Sequence, residues 1–198
     1  MAKLPLVAGI LVGGKSTRFG RPKALEVLPN GETVLTHVIE TARSVATDVV
    51  LLGAMDGLEG AASSCRQLPD QEGISGPIAG LSSLLAHANK HWALMLACDL
   101  PLLGSALFTP LIDAALAGDP IDVAAFGTGL THRPFYTCCT LYHPRIMPQV
   151  EQAIQQREFR LQRIVQAVRT KMIQPDPSQK RLLQDMNTPE DKSRLLGQ

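Results

Sequence analysis

The chain has 198 residues, 45% apolar and 19% charged, and its 19 Lys and Arg against 18 Asp and Glu give a formal net charge of +1. That size and apolar content provide for a buried core and exclude a disordered polymer. Near-neutral charge and only 4% aromatic residues count against a protein that holds nucleic acid by bulk charge or base stacking, so any phosphate is handled at one focused site.

In chain order, the apolar stretch Leu4 to Gly14 follows Lys3 and has the outline of a signal-peptide core. It ends in Gly-Gly-Lys-Ser-Thr-Arg rather than a small-x-small cleavage site, and it is too short to span a bilayer. It reads better as a buried strand, Leu6 to Val12, entering a glycine loop that runs to about Asn30. With no longer apolar run elsewhere, the expectation is a cytoplasmic protein with no membrane contact. Val34, Leu35, Val38, Ile39, Ala42 and Val45 recur at helical spacing and predict a helix over Thr33 to Ala46. A strand at Val49 to Gly53, a short helix near Gly57 to Ser63 and a brief strand at Cys65 to Leu68 follow.

Gly76-Pro77 opens a helix to about Asn89, with Pro where its missing N–H does no harm. Ala93 to Cys98 is a buried strand ending at Asp99. Ser105 is placed to cap a helix to Ala117 that Pro110 would bend. A strand at Asp122 to Phe126, a strand pair within Thr131 to Tyr142, and helices from Pro144 to about Gln156 and over Leu161 to Val168 come next. Short strands at Lys171 to Gln174 and Leu182 to Met186 and a terminal helix from Pro189 complete the reading. Alternating strands and helices imply βαβ units, a largely parallel sheet and helices on both faces. No repeat, low-complexity segment or interdomain linker divides the chain. Ligands of such sheets bind beyond the carboxyl ends of the strands.

Three motifs fall at that end. Leu11-Val12-Gly13-Gly14-Lys15-Ser16-Thr17-Arg18-Phe19-Gly20-Arg21-Pro22-Lys23 directly follows the first strand. Its glycines let backbone N–H groups approach an anion, and Lys15, Arg18, Arg21 and Lys23 can neutralise a triphosphate. It is neither a P-loop, because Gly20 is followed by Arg-Pro-Lys-Ala, nor a Rossmann fingerprint, because G-x-G-x-x-G is absent. Asp99, in Ala97-Cys98-Asp99-Leu100-Pro101, stands at a strand end, where one carboxylate plus substrate phosphates is a usual Mg²⁺ site. Asp70 to Gly80 contains Gly76, Pro77 and Gly80, which let a ligand approach a helix start. Against these stand plainer readings: a solvated basic loop, an Asp that starts a turn, and tight helix packing. The four cysteines, Cys65, Cys98, Cys138 and Cys139, contain no C-x-x-C pair and read as reduced thiols. The histidines form no ligand spacing, and the arginines at 157, 160, 163 and 169 are best explained as a solvated face.

In this order and spacing the three segments resemble the MobA family of molybdenum cofactor guanylyltransferases. The glycine signature is matched at Leu11 to Leu25, Gly-Pro-Leu-Ala-Gly at Gly76 to Gly80, and Cys-Asp-x-Pro at Cys98 to Pro101. A fourth match is Asn187-Thr188-Pro189-Glu190-Asp191. The resemblance implies a single nucleotidyltransferase domain over residues 1–198, a Rossmann-like three-layer sandwich with a mostly parallel central sheet like that of nucleotide-diphospho-sugar transferases. It implies transfer of GMP from GTP to the terminal phosphate of molybdopterin with loss of pyrophosphate. By carry-over Leu11, Val12, Gly13 and Gly14 would contact the nucleotide, Arg18 and Lys23 its phosphates, and Asp70 would help hold GTP. Asp99 would ligate Mg²⁺, Gly76 to Gly80 would help read guanine, and Asn187 would lie on the molybdopterin side. Other proteins of molybdenum cofactor biosynthesis, or acceptors of the product, would be partners.

Two alternatives stay open: a related nucleotidyltransferase using CTP or another phosphorylated acceptor, and a non-catalytic nucleotide-binding or cofactor-delivery protein. Asp99 and Lys23 argue against the second.

Overall fold

The computed structural model describes residues 4–12, 22–70, 73–74, 76–131 and 135–197. Within them β1 (Leu6–Leu11), β2 (Asp48–Leu52), β3 (Arg66–Leu68), β4 (Trp92–Ala97), β5 (Val123–Gly127), β6 (Phe135–Tyr142) and β7 (Thr170–Ile173) form a sheet of order β3-β2-β1-β4-β6-β5-β7. β1 pairs in parallel with β2 and β4, β2 with β3, and β5 with β7, while β6 runs antiparallel between β4 and β5.

Near-continuous apolar composition in β1 and β4 follows from burial on both faces. Leu6, Ala8 and Ile10 point to one layer, built from α1 (Val34–Arg43) and α3 (Phe108–Leu116). Val7, Val50 and Met95 point to the other, built from α2 (Pro77–Ala88), α4 (Met147–Gln155) and α5 (Leu161–Ala167). The result is the three-layer α/β sandwich that the alternating pattern anticipates. No helix among the described residues is long and apolar enough to cross a membrane.

Three local readings differ from the structure. Among its described residues, the segment expected to hold a strand pair contributes one long strand, β6, whose partners are β4 and β5. Ser105 does not cap α3. It begins a 3₁₀ turn, Ser105–Leu107, and Pro110 falls in the first turn of α3, where no intrahelical N–H is owed and no bend is required. Leu182 to Met186 is not a strand: Leu182 closes α6 (Pro177–Leu182), which starts from a capping box in which Asp176 Oδ1 accepts from Gln179 N and Gln179 Oε1 accepts from Asp176 N. The terminal helix α7 (Pro189–Leu196) opens on a second such box, between Thr188 and Asp191.

Gly80 shows why a residue without a side chain is needed where α2 crosses the sheet. A Cβ there would stand 2.6 Å from Leu11 Cδ2 and 3.2 Å from Leu52 Cβ. Gly80→Ala is expected to cost about 1–3 kcal/mol through overpacking, a fall in Tm of roughly 2–10 °C by thermal melt. An unchanged Tm would show that Leu11 yields freely.

Candidate functional site

The carboxyl ends of β2, β1 and β4 are locked together. Val12 N donates to Leu52 O at 3.1 Å, and Cys98 N donates to Leu11 O at 3.2 Å. Leu11 is half-buried and Val12 buried at this rim. The loop beyond them contains Gly13, Gly14, Lys15, Arg18 and Arg21, which lie outside the described residues. The chain is described again from Pro22 and enters the 3₁₀ turn Lys23–Leu25, closed by Leu25 N to Pro22 O at 3.0 Å.

That turn delivers Lys23 to the strand ends. Lys23 Nζ donates to Asp99 Oδ2 at 2.5 Å and to Asn187 Oδ1 at 2.8 Å. The three residues are 76 and 164 positions apart in the chain, so the sheet and the returning carboxyl-terminal segment assemble the cluster. Asp99 leaves the end of β4, and its backbone carbonyl accepts from Met186 N at 2.9 Å, which fastens the segment before Asn187. The Lys23 and Asp99 side chains keep 23% and 15% of their surface exposed, so both remain open to an incoming anion or cation.

Asn187 is held by the start of α7. Asp191 Oδ2 accepts from Asn187 N at 3.0 Å and from Thr188 N at 3.1 Å, and Asp191 Oδ1 accepts from Arg194 at 2.8 Å. The Arg194 guanidinium, followed by the Asn187 N–H, holds the Asp191 carboxyl below the usual carboxylate range. Asn187 is thereby placed beside Lys23 and Asp99, a position that the sequence reading assigned only to the acceptor side.

The remaining candidates spread along the rim. Asp70 is exposed just past β3, three strand spacings or roughly 14 Å across the sheet from β4, and therefore faces a different part of any shared ligand from Asp99. Gly76 caps α2 with φ +82° and is exposed, so its positive φ and Pro77 after it set the entry of that helix. Gly80 is buried four residues inside the site's edge, where packing against Leu11 and Leu52 accounts for it.

Among the described residues no group of three His, Cys, Asp or Glu could hold a metal ion. Asp99 is a single carboxylate, which fits Mg²⁺ carried chiefly by substrate phosphates and water rather than by a protein cage. Cys98 beside it is not a nucleophile: burial, aided by the neighbouring Asp99 charge, pushes its thiol up to about 12. His37 Nε2 lies 2.8 Å from Leu103 O and His87 2.7 Å from Asp48, ordinary structural partners. Arg160 forks onto Glu158 at 2.7 and 2.6 Å, Arg163 lies 4.0 Å from the same carboxylate, and Arg169 forks onto Asp122 at 2.9 Å through Nε and Nη2, which accounts for three of the four arginines as ion-paired.

Residues 8–172 match the family described as the MobA-like NTP transferase domain. The chain is 30% identical over 191 residues to a molybdenum cofactor guanylyltransferase of Pseudomonas putida, covering 96% of each protein. It is 32% identical over 194 residues to a probable molybdenum cofactor guanylyltransferase of Deinococcus radiodurans, covering 98% of this chain and 95% of that one. In fold it is similar to the crystal structure of molybdopterin-guanine dinucleotide biosynthesis protein A from Archaeoglobus fulgidus, with TM-score 0.77 at 20% identity over 96% of this chain and 97% of that one.

Proposed function

The chain belongs to the MobA-like NTP transferase family, and from that premise we propose that it transfers GMP from GTP to the terminal phosphate of molybdopterin and releases pyrophosphate. The observation that carries this reading is the meeting of Lys23, Asp99 and Asn187 at the carboxyl end of β4. The names of the Pseudomonas putida and Deinococcus radiodurans relatives support guanylyl transfer and the molybdenum cofactor as its setting.

The attacking group is a phosphate oxygen, ionised near neutral pH, so no strong general base is required. The difficulty is bringing two anions together and letting pyrophosphate depart. Lys23, with Arg18, places positive charge against the phosphates. Asp99 would hold Mg²⁺ together with those phosphates, and the ion would supply charge neutralisation on the phosphoryl oxygens. Leu11 and Val12, at the rim, contact the nucleotide, a role the resemblance gives to Gly13 and Gly14 as well; Asp70 holds its far side, and the exposed Gly76 end of α2 borders the base. Asn187 links the donor phosphates to the acceptor's side. We place the reaction in the cytoplasm, with acceptor or biosynthetic proteins taking the product.

A pyrophosphate-release assay with Mg²⁺ decides among the readings. GTP with molybdopterin is expected to exceed CTP and ATP by at least about tenfold, since a site that hydrogen-bonds a base rejects one lacking the matching groups. A preference for CTP would transfer the chain to the related cytidylyl chemistry. Tight GTP binding without pyrophosphate release would make it a nucleotide-binding delivery protein.

A further inference from the structure

The turn that carries Lys23 is joined to the start of α7 by two polar links, and only one belongs to the site above. Lys23 Nζ donates to Asn187 Oδ1 at 2.8 Å. Three residues on, the Glu26 carboxylate accepts from Lys192 Nζ at 3.0 Å. A 3₁₀ turn sets side chains three apart on one side, and Lys23 and Glu26 both meet the 187–192 stretch.

Glu26 is 1% exposed, and the chemistry proposed for the site makes no use of it. A carboxylate so deeply buried is costly unless paired, and a buried ion pair is better suited to fixing register than to adding stability. Both partners have fixed mounts. Glu26 N donates to Lys23 O at 3.2 Å, and its carbonyl accepts from Val34 N at 2.9 Å. Lys192 rides on α7, whose Leu195 is buried in the core. The geometry points to Glu26 and Lys192 as positioning residues: their ion pair clamps the 3₁₀ turn to α7 and thereby stands the Lys23 ammonium between Asp99 and Asn187. The consequence for catalysis rests on Lys23 acting as a phosphate-binding cation.

Trace acylation of lysine amines in the intact protein, read by peptide mass against exposed Lys90, reports on Lys23 without any substrate. Glu26→Gln and Lys192→Met are each expected to raise Lys23 reactivity about fivefold as its hydrogen bonds loosen. Each is expected to lower kcat for pyrophosphate release about tenfold while KM for the nucleotide moves less than about threefold. Lys192→Arg is expected to restore both. Lys192→Met removes a cationic partner from a buried carboxylate and is liable to fold poorly, so Glu26→Gln combined with Lys192→Met, which removes both charges, is measured with it. Unchanged Lys23 reactivity or unchanged kcat in the folded double variant overturns the assignment. If the unaltered protein releases no pyrophosphate from any nucleotide, the proposed reaction fails, while the acylation result still decides whether the clamp holds Lys23.

Discussion

Asp99→Asn is expected to lower turnover by about 10³-fold, because a metal acting on phosphoryl oxygens is worth several kcal/mol of transition-state stabilisation. The amide keeps the shape of the carboxylate and loses its charge, so the cation site weakens while the end of β4 stays in place. The backbone carbonyl of Asp99 still accepts from Met186 N. The Lys23–Asp99 pair is partly exposed, so its loss should cost about 1 kcal/mol or less and lower Tm by roughly 2–4 °C. Turnover measured across a Mg²⁺ series, beside a thermal melt, separates the two effects. Near-normal turnover with unchanged Mg²⁺ dependence would remove Asp99 from the metal site.

Lys23→Met should act in two opposite directions. Lys23 and a divalent cation both seek the Asp99 carboxylate, which Lys23 contacts at 2.5 Å. Removing the ammonium relieves that competition, so Mg²⁺ alone should bind several-fold more tightly, as expected when a positive charge leaves the neighbourhood of another. The same substitution removes a cation from the transferring phosphates, so kcat/KM for the nucleotide should fall about 10²-fold. Isothermal titration with Mg²⁺ and pyrophosphate-release kinetics give the two signs independently. A loss of Mg²⁺ affinity would mean that Lys23 orients Asp99 rather than competing with cations for it. Unchanged kinetics would place Lys23 outside the reaction.

Much of this architecture was readable from local pattern. β1 and β4 announce themselves as short apolar runs because both faces are covered, and α1 does so through one apolar stripe on a polar helix. Pro77 and Pro189 mark helix starts for the same backbone reason. Asp99 alone reads equally well as the start of a turn before Pro101, and only together with the basic glycine loop does the sequence favour it as a cation ligand. Lys23 was legible from the residues as one of four cations in a loop and from the resemblance as a phosphate contact, and the structure gives it two acceptors. The capping box at Asp176 and Gln179 was available in the sequence as an acidic residue three before a glutamine, and it would have replaced the supposed strand near Leu182 with α6.

The roles of Glu26 and Lys192 had no local signal, and that of Asp191 had only the Thr188-x-x-Asp191 spacing of a capping box. Glu26 lies between Leu25 and Val27 like any solvated glutamate, yet it is buried and accepts from a lysine 166 positions away. Asp191 looks like a helix-start acid, and only the fold shows that its carboxylate also fixes the backbone of Asn187. Contacts of that span depend on the whole sheet being in place, and no periodicity encodes them.

The return of the carboxyl-terminal segment to the first loop has a bearing on biosynthesis. Chains are made from the amino end, and Lys23 precedes Asn187 by 164 residues, roughly ten to thirty seconds of translation. β1, β2 and β4 can pair on the ribosome long before the segment that closes around Lys23 has been made. A nascent or prematurely terminated product would therefore own the scaffold while lacking the Asn187 side of the cluster that orders the Lys23 amine, so the sheet is in place before that arrangement is complete.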